Sequence, residues 1–190
     1  IGQDLAGQTL GVIGMGRIGY ALARRCRLGW DMRVLYHDVH ANARAEKDLQ
    51  AEKVSLDQLL AESDFVSVHT DLNATTNGLF NLATFQKMKR SAVFVNTARG
   101  PIVVEADLLT ALRQGVIFAA GLDVTNPEPP PADSPLFRQP NLVVAPHIAS
   151  ATTGTRNAMA DICARNLLAG LRGEPLLGWV NPEVGAKKPG

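Results

Sequence analysis

Short apolar runs alternate with segments of helical period along this chain, and this alternation limits the fold more than any other feature. Apolar runs of roughly four to six residues between turn residues are typical of strands buried on both faces of a parallel sheet. Helical segments between such strands favour βαβ units, which place helices on both faces of the sheet. The sequence therefore predicts an α/β fold with a doubly wound parallel sheet. The predicted strands are residues 9–14, 32–36, 65–69, 93–96, 118–122 and 142–145.

Apolar stripes at the spacing i, i+4, i+8 predict three helices. Ser55 with Gln58 three residues later forms a capping-box pattern, which predicts a fourth helix start. Gly115 stands where a glycine commonly ends a helix. The stripes are Ile18, Leu22 and Cys26; Val104, Leu108 and Leu112; and, in a long helix over residues 156–171, Met159, Cys163, Leu167 and Leu171.

The composition fits one globular domain, because 46% of the 190 residues are hydrophobic and 19% are charged, which excludes a disordered chain. The net charge of +1 predicts no binding to nucleic acid, and no apolar run approaches the roughly 18 residues of a membrane span. Cys26 and Cys163 lack the spacing of a zinc site. We therefore expect packed thiols, no metal, and a reducing, cytoplasmic setting.

Residues 14–19 read G-M-G-R-I-G, follow a predicted strand and open a predicted helix. In this context Gly14 allows a tight turn, Gly16 lets the backbone approach a pyrophosphate, and Gly19 permits close helix–strand packing. Free N–H groups around Arg17 and Ile18 would meet the phosphates at the start of the helix. The pattern predicts a Rossmann-type dinucleotide fold. A methyltransferase or a flavin enzyme could use a similar turn.

Asp38 stands about 20 residues past Gly19, at the end of the second predicted strand. A carboxylate there accepts the ribose hydroxyls of NAD and repels the extra phosphate of NADP. Asp38 therefore predicts NAD as the cofactor. Arg33, His40 and Arg44 lie near enough in sequence to leave NADP tolerance open.

Four stretches in this order resemble the successive signatures of the D-isomer-specific 2-hydroxyacid dehydrogenases. They are L-G-V-I-G-M-G-R-I-G at 10–19, V-N-T-A-R-G at 95–100, G-L-D-V with P-E-P at 121–129, and P-H-I-A at 146–149. The resemblance runs from about Leu5 to Val184, and within the family it is greatest to glyoxylate/hydroxypyruvate reductases. It implies NAD(H)-dependent reduction of a small 2-keto acid to a D-2-hydroxy acid.

The resemblance also assigns three catalytic residues. Arg99 matches the family's arginine, whose planar guanidinium suits a carboxylate and polarises the neighbouring carbonyl. His147 matches the acid–base histidine, since an imidazole exchanges protons near neutral pH. Glu128 matches the acid that orients this histidine and favours the imidazolium needed for reduction.

Further positions match family contacts to the cofactor. Asp123 matches the contact to the nicotinamide carboxamide, and Thr97 and Ala98 match backbone positions that line the dinucleotide. Thr70 and Thr76 fall in a further stretch of cofactor contacts. In that stretch this sequence has an aspartate, at position 71, where the family usually has proline.

The resemblance implies a cofactor-binding domain over residues 1–184, in which about 155–184 return toward a substrate domain that this sequence does not include. The chain starts at Ile1 rather than Met, which is consistent with part of a longer protein. That longer protein is expected to be a homodimer. Residues 185–190 are expected to be a disordered tail. Two other functions stay open: a non-catalytic, NAD-responsive interaction module like the corepressors of this family, and a formate or phosphite dehydrogenase on the same fold.

Overall fold

The computed structural model describes residues 2–183, and strands within them form one sheet in which every neighbouring pair is parallel. The strands are β1 (Thr9–Ile13), β2 (Arg33–His37), β3 (Glu52–Lys53), β4 (Phe65–Val68), β5 (Val93–Asn96), β6 (Ala119–Leu122) and β7 (Leu142–Val144). Their order is β3-β2-β1-β4-β5-β6-β7, so the chain runs outward from the centre in both directions. This order confirms the predicted doubly wound sheet.

Helices connect most of these strands. They are α1 (Arg17–Trp30), α2 (Ala43–Leu49), α3 (Leu56–Glu62), α4 (Leu82–Phe85), α5 (Glu105–Arg113) and α6 (Thr153–Leu171), with short 3-10 helices at Gly100–Ile102 and Pro135–Arg138. The predicted helix start at Ser55 is confirmed, because the Ser55 hydroxyl accepts a hydrogen bond from the Gln58 N–H at 3.2 Å. The Gln58 side chain donates to Glu62 instead of completing the capping box.

Buried side chains fall into two clusters because alternate residues of a strand point to opposite faces of the sheet. In β1, Leu10 and Val12 belong to one cluster and Ile13 to the other; in β2, Tyr36 and Leu35 divide in the same way. Both faces of the sheet are therefore covered, which leaves the ends of the strands for binding. The larger cluster contains three aromatic rings with centroids 4.6 to 5.8 Å apart, those of Phe80, Phe85 and Phe94.

The structure contains elements that the sequence pattern did not predict. β3 has two residues, both exposed and charged, so no apolar run marks it. α2 and α4 are too short to show a helical stripe. α6 begins at Thr153, three residues before the predicted start, because the Thr152 hydroxyl accepts a hydrogen bond from the Thr155 N–H.

The chain divides into two compact units, residues 1–147 and 148–190. The first contains the sheet and α1 to α5. In the second, the α6 side chains of Met159, Leu167 and Leu171 are each more than half exposed. Cys26 is buried as predicted, but the prediction of a packed thiol at Cys163 is wrong, since this residue lies on the exposed surface of α6.

The expected disorder of residues 185–190 lies outside the described residues. Among residues 2–183, no helix combines the length and the apolar character needed to cross a membrane.

Candidate functional site

The carboxyl ends of the strands form one edge of the sheet, and cavities follow the strand order along it. The first cavity, about 490 Å³, lies past β2, β1 and β4; the second, about 450 Å³, lies past β4 and β5; and the third, about 280 Å³, lies past β6 and β7. β1 and β4 are neighbours from which the chain proceeds in opposite directions along the sheet. Such a switch point opens the crevice in which doubly wound sheets bind ligands.

The turn between β1 and α1 leaves no room for side chains at two of its glycines. Gly14 has φ of +91°, and a Cβ there would lie 2.8 Å from backbone atoms of His69 and Thr70. A Cβ at Gly19 would lie 2.1 Å from the Gly14 carbonyl oxygen. These two glycines therefore allow β1, α1 and the end of β4 to approach one another closely.

Gly16 has the opposite environment, because a Cβ there would meet nothing within 4 Å. α1 begins directly after it, and no side chain caps the first N–H groups of the helix. Of the two residues predicted to present these groups, Ile18 lines the second cavity, whereas Arg17 is exposed and lines none of the three. The open space at Gly16 is where a phosphate group could approach the helix.

Asp38 follows β2 and lines the first cavity. Its Oδ2 accepts a hydrogen bond from the Met15 N–H at 2.8 Å, and its Oδ1 accepts one from the His40 N–H at 3.1 Å. The Asn42 side chain donates to the Met15 carbonyl oxygen at 2.7 Å, so the loop after β2 holds both backbone groups of Met15. The carboxylate is fixed beside the glycine turn, and each oxygen retains capacity for a further donor.

Thr70 and Thr76 lie in the loop after β4. Thr70 lines the first and second cavities, and Thr76 lines the first. The Thr76 hydroxyl donates to the Asp71 carbonyl oxygen at 2.7 Å and accepts from the Asn73 N–H at 2.8 Å. The hydroxyl of Thr76 is therefore engaged in closing its own loop.

His69 lies between these two cavities and lines both. Its Nε2 lies 2.9 Å from the hydroxyl oxygen of Ser67, which is buried. Burial lowers the pKa of His69 to about 4. The ring is therefore neutral at physiological pH.

Arg99 belongs to the turn that follows β5 and lines the second cavity with Thr97 and Ala98. Asn96 is fully buried and holds this turn: its Oδ1 accepts from the Ala98 N–H at 3.0 Å, and its Nδ2 donates to the Arg99 carbonyl oxygen at 2.9 Å. The Arg99 side chain itself is exposed and donates to the Ala98 carbonyl oxygen. The turn that Asn96 holds thus presents the Arg99 guanidinium to the cavity.

Glu128 and His147 pair at the third cavity. The Nδ1 of His147 lies 2.5 Å from the Oε1 of Glu128, and both side chains are partly exposed. The hydrogen bond to His147 lowers the pKa of Glu128, and the Thr125 N–H and the charge of Arg99 act in the same direction. The carboxylate is therefore ionised near neutral pH. It can hold the imidazole in one orientation and one tautomer.

The backbone also fixes the histidine. His147 has φ of +54°, which is uncommon outside glycine, and its N–H donates to the carbonyl oxygen of Asp123 at 2.9 Å. Asp123 is buried and lines the same cavity. The end of β6 thus sets the position of the residue that follows β7.

Asn96 and His37 were missed by sequence reasoning. A buried asparagine at a strand end often stabilises the next turn, and that signal was present in the V-N-T-A-R-G stretch. His37 lines the first cavity and its Nδ1 lies 3.1 Å from the Val54 carbonyl oxygen, a contact that depends on β3. Because β3 was not predicted, nothing in the sequence pointed to this position.

The residues along this edge fit a dinucleotide. The first cavity combines an open approach at Gly16 with a fixed carboxylate at Asp38, which are the features that a pyrophosphate and an adenine ribose need. Among residues 2–183, no group of three or more His, Cys, Asp or Glu side chains is arranged to hold a metal ion.

Comparisons with known proteins agree with this geometry. Residues 1–149 match the model of the D-isomer specific 2-hydroxyacid dehydrogenase, NAD binding domain. The chain is 50% identical over 175 residues to human glyoxylate reductase/hydroxypyruvate reductase, covering 92% of this chain and 53% of that protein. It is 48% identical over 183 residues to glyoxylate/hydroxypyruvate reductase B of Escherichia fergusonii, covering 96% of this chain and 56% of that protein.

Among solved structures, D-lactate dehydrogenase with NAD+ from Lactobacillus jensenii superposes with a TM-score of 0.87 at 33% identity, covering 95% of this chain and 57% of that one. The chain thus spans about half the length of the relatives that it matches. Matches in sequence and in structure cover nearly all of the chain. It belongs to the D-isomer-specific 2-hydroxyacid dehydrogenase family and contains that family's NAD-binding domain.

Proposed function

We propose that this chain is the cofactor-binding part of an enzyme that reduces a small 2-keto acid, of the glyoxylate or hydroxypyruvate type, to a D-2-hydroxy acid with NADH. The observation that carries the proposal is the 2.5 Å contact between His147 Nδ1 and Glu128 Oε1, on the same sheet edge as the glycine turn. An ionised acid that orients an imidazole beside a cavity is an arrangement for proton transfer. This pair favours the enzyme over a non-catalytic NAD-responsive module.

The first cavity holds the adenosine end of the cofactor in this proposal. The N–H groups at Arg17 and Ile18 meet the pyrophosphate, and Asp38 accepts the ribose hydroxyls. NAD is preferred to NADP because the extra phosphate of NADP would approach the Asp38 carboxylate. Bound NADH supplies the hydride.

The nicotinamide end lies along the second and third cavities. Thr97 and Ala98 would line this path, Thr70 would border it, and Asp123 would receive the carboxamide, while Thr76 stands at the first cavity. This placement is supported by the cavity order, which follows β4, β5 and β6 away from the glycine turn. Arg99 and His147 line these two cavities, so both could act at the nicotinamide end.

Arg99 and His147 act on the substrate. The Arg99 guanidinium binds the substrate carboxylate with two parallel hydrogen bonds and polarises the keto oxygen. His147 holds Glu128 through Nδ1, so its Nε2 donates the proton that the keto oxygen takes up as the carbonyl carbon is reduced. Glu128 holds the ring in place and stabilises its protonated form before the transfer.

The setting proposed is cytoplasmic and the assembly a homodimer, with no nucleic acid or membrane as partner. The two cysteines, both unpaired, support a reducing compartment. Exposed apolar residues on α6 support association with a further protein surface.

The test is the variant His147→Ala, made in the full-length protein to which these residues belong. Turnover of glyoxylate or hydroxypyruvate should fall by ~10²-fold or more, because the proton donor is lost. The dissociation constant for NADH should stay within about twofold, since the cofactor contacts remain. Steady-state kinetics and NADH fluorescence titration measure the two quantities.

Glu128→Gln is the companion variant. A neutral partner stabilises the imidazolium less, so reduction should fail at a lower pH than in the wild type. An unchanged pH profile of turnover would remove Glu128 from the mechanism, and full turnover in His147→Ala would remove the proposed reaction.

A further inference from the structure

Glu105, the first residue of α5, reaches across to the loop that carries Glu128. Its Oε1 accepts a hydrogen bond from the Asn126 N–H at 2.6 Å. Asn126 is two residues before Glu128 in the chain. Glu105 is half-buried and has no ion-pair partner within 4 Å among the described residues.

The composition of this loop makes the contact informative. Residues 126–131 read N-P-E-P-P-P, and proline has no backbone N–H. Asn126 and Glu128 are therefore the residues of this segment that can donate a backbone hydrogen bond. One of these two donors is taken by Glu105, so α5 fixes the loop directly ahead of the acid.

A second contact joins the same two regions. A Cβ at Gly100 would lie 2.0 Å from the Thr125 carbonyl oxygen, so the turn after Arg99 packs directly on the loop before Glu128. The Glu128 carboxylate in turn approaches the Thr125 N–H at 3.5 Å. The chain leaving Arg99 and the chain entering Glu128 thus meet at Thr125 and Asn126, and Glu105 binds this junction.

We propose that Glu105 is a positioning residue that holds the Glu128 loop in register with His147, and thereby keeps the acid–base pair in contact. The proposal rests on the proposed function. It adds to that function a residue that touches neither substrate nor cofactor.

The environment of Glu105 supports this role. Burial raises the pKa of Glu105, and the hydrogen bond from Asn126 only partly opposes that effect. A half-buried carboxylate loses hydration, which costs free energy unless the group is hydrogen-bonded. The hydrogen bond to the loop is the compensating contact that the structure provides.

Asp107 offers a matched control in the same helical turn. Its Oδ2 accepts a hydrogen bond from the Leu82 N–H at 3.0 Å, which joins α5 to α4 rather than to the Glu128 loop. Glu105 and Asp107 thus share the sign of their charge, the first turn of α5 and the type of hydrogen bond. They differ in the segment that they hold.

The test follows the carboxyl pKa of Glu128 by NMR in the 190-residue chain labelled with 13C-glutamate. The wild-type value is low because of His147, with Thr125 and Arg99 contributing. His147→Ala should raise the Glu128 pKa toward the ordinary glutamate value, and this rise is the reference for the other variants. Glu105→Ala should produce at least half of that rise, because the released loop lets Glu128 leave the imidazole.

Three variants complete the comparison. Glu105→Gln retains an acceptor oxygen for the Asn126 N–H and should keep the Glu128 pKa low. Asp107→Ala should also leave it unchanged. If Glu105→Ala fails to fold, Glu105→Asp takes its place, since it keeps the carboxylate but shortens its reach, and the same rise is expected.

The outcomes separate this inference from the proposed function. If His147→Ala does not raise the Glu128 pKa, the pair itself is absent and the proposed function loses its main support. If His147→Ala raises it and Glu105→Ala does not, the pair stands and the positioning role of Glu105 is overturned. An equal rise in Asp107→Ala would show a general effect of loosening α5 and would also overturn it.

Discussion

At the scale of single residues, Asp38 combines a structural and a binding role. Both of its oxygens accept backbone hydrogen bonds, yet each keeps capacity for a further donor. Asp38→Ala should weaken NADH binding by about tenfold or more, because a hydrogen bond to a charged group is lost. NADPH binding should weaken less, since the repulsion of its extra phosphate is lost as well, and the preference for NADH should narrow.

Isothermal titration calorimetry with both cofactors measures this preference. Asp38→Asn is the matched control for charge, because it keeps an acceptor for the Met15 N–H while removing the repulsion. Equal or tighter binding of NADPH by the wild-type chain would contradict the assignment.

His69 predicts a pH-dependent stability. Its pKa is about 4 in the folded chain and near 6.5 in an unfolded one, so between these values the unfolded state binds a proton that the folded state does not. The free energy of unfolding should therefore fall by about 2 kcal/mol between pH 6.5 and pH 4.5 because of this residue. The loss should be absent in His69→Gln.

Urea unfolding of the two proteins at both pH values gives the comparison. His40→Gln, at an exposed histidine, serves as a control and should keep the wild-type dependence on pH. Carboxylates with lowered pKa values, such as Glu52 and Glu128, begin to lose stability only near the lower end of this range, and they do so equally in both proteins. A wild-type slope that survives in His69→Gln would show that His69 is not the cause.

Sequence reasoning identified residues that lie in a distinctive motif and missed residues whose role depends on contacts in the folded chain. Arg99, Glu128 and His147 stand in recognisable stretches, and the structure brings Glu128 and His147 into contact. Asn96 holds the turn that directly follows it, at Ala98, whereas Glu105 acts through a backbone group of another segment, at Asn126. A partner of the second kind depends on how two segments meet, which periodicity and spacing do not encode.

At the scale of elements, two glycines of the turn before α1 have different roles, one in folding and one in binding. A side chain at Gly19 would collide with the Gly14 carbonyl oxygen, whereas one at Gly16 would enter open space. Gly19→Ala should therefore destabilise the chain by about 1–3 kcal/mol or more through overpacking. Gly16→Ala should fold normally and bind NADH at least about tenfold more weakly, because the methyl group occupies the approach of the pyrophosphate.

Thermal unfolding and NADH titration on both variants test this division. Gly29→Ala, in the same helix with nothing within 4 Å, should change neither binding nor folding adversely. Normal NADH affinity in Gly16→Ala would show that the open space is not the pyrophosphate site.

The apolar or charged character of a strand decides whether it could be predicted from the sequence. β1, β4 and β5 are short apolar strands buried within the sheet, and each was located to within one residue. β3 lies at the sheet edge with exposed charged residues, so only its pairing with β2 defines it. Patterns of apolar residues therefore locate apolar strands, including β7 at the opposite edge, and miss a charged edge strand such as β3.

At the scale of the whole molecule, the resemblance and the comparisons give the same family. Membership in the family does not by itself show that the 190-residue chain is active. The chain spans 53% of its human relative and 56% of its relative from Escherichia fergusonii. Arg99 and His147 are exposed in the unit that contains them. Water then competes for the substrate carboxylate and screens the guanidinium that should bind it.

We therefore expect a polypeptide of these 190 residues to bind NADH but to reduce glyoxylate, hydroxypyruvate and pyruvate well below the ordinary enzyme range of ~1–10³ s⁻¹. Cofactor binding should survive because the glycine turn and Asp38 lie within one compact unit. NADH oxidation and an NADH titration on the same sample decide the matter. Turnover within the ordinary range would contradict the expectation and would require that self-association completes the cleft, whereas failure to bind NADH would show that the cofactor site needs more chain than these residues supply.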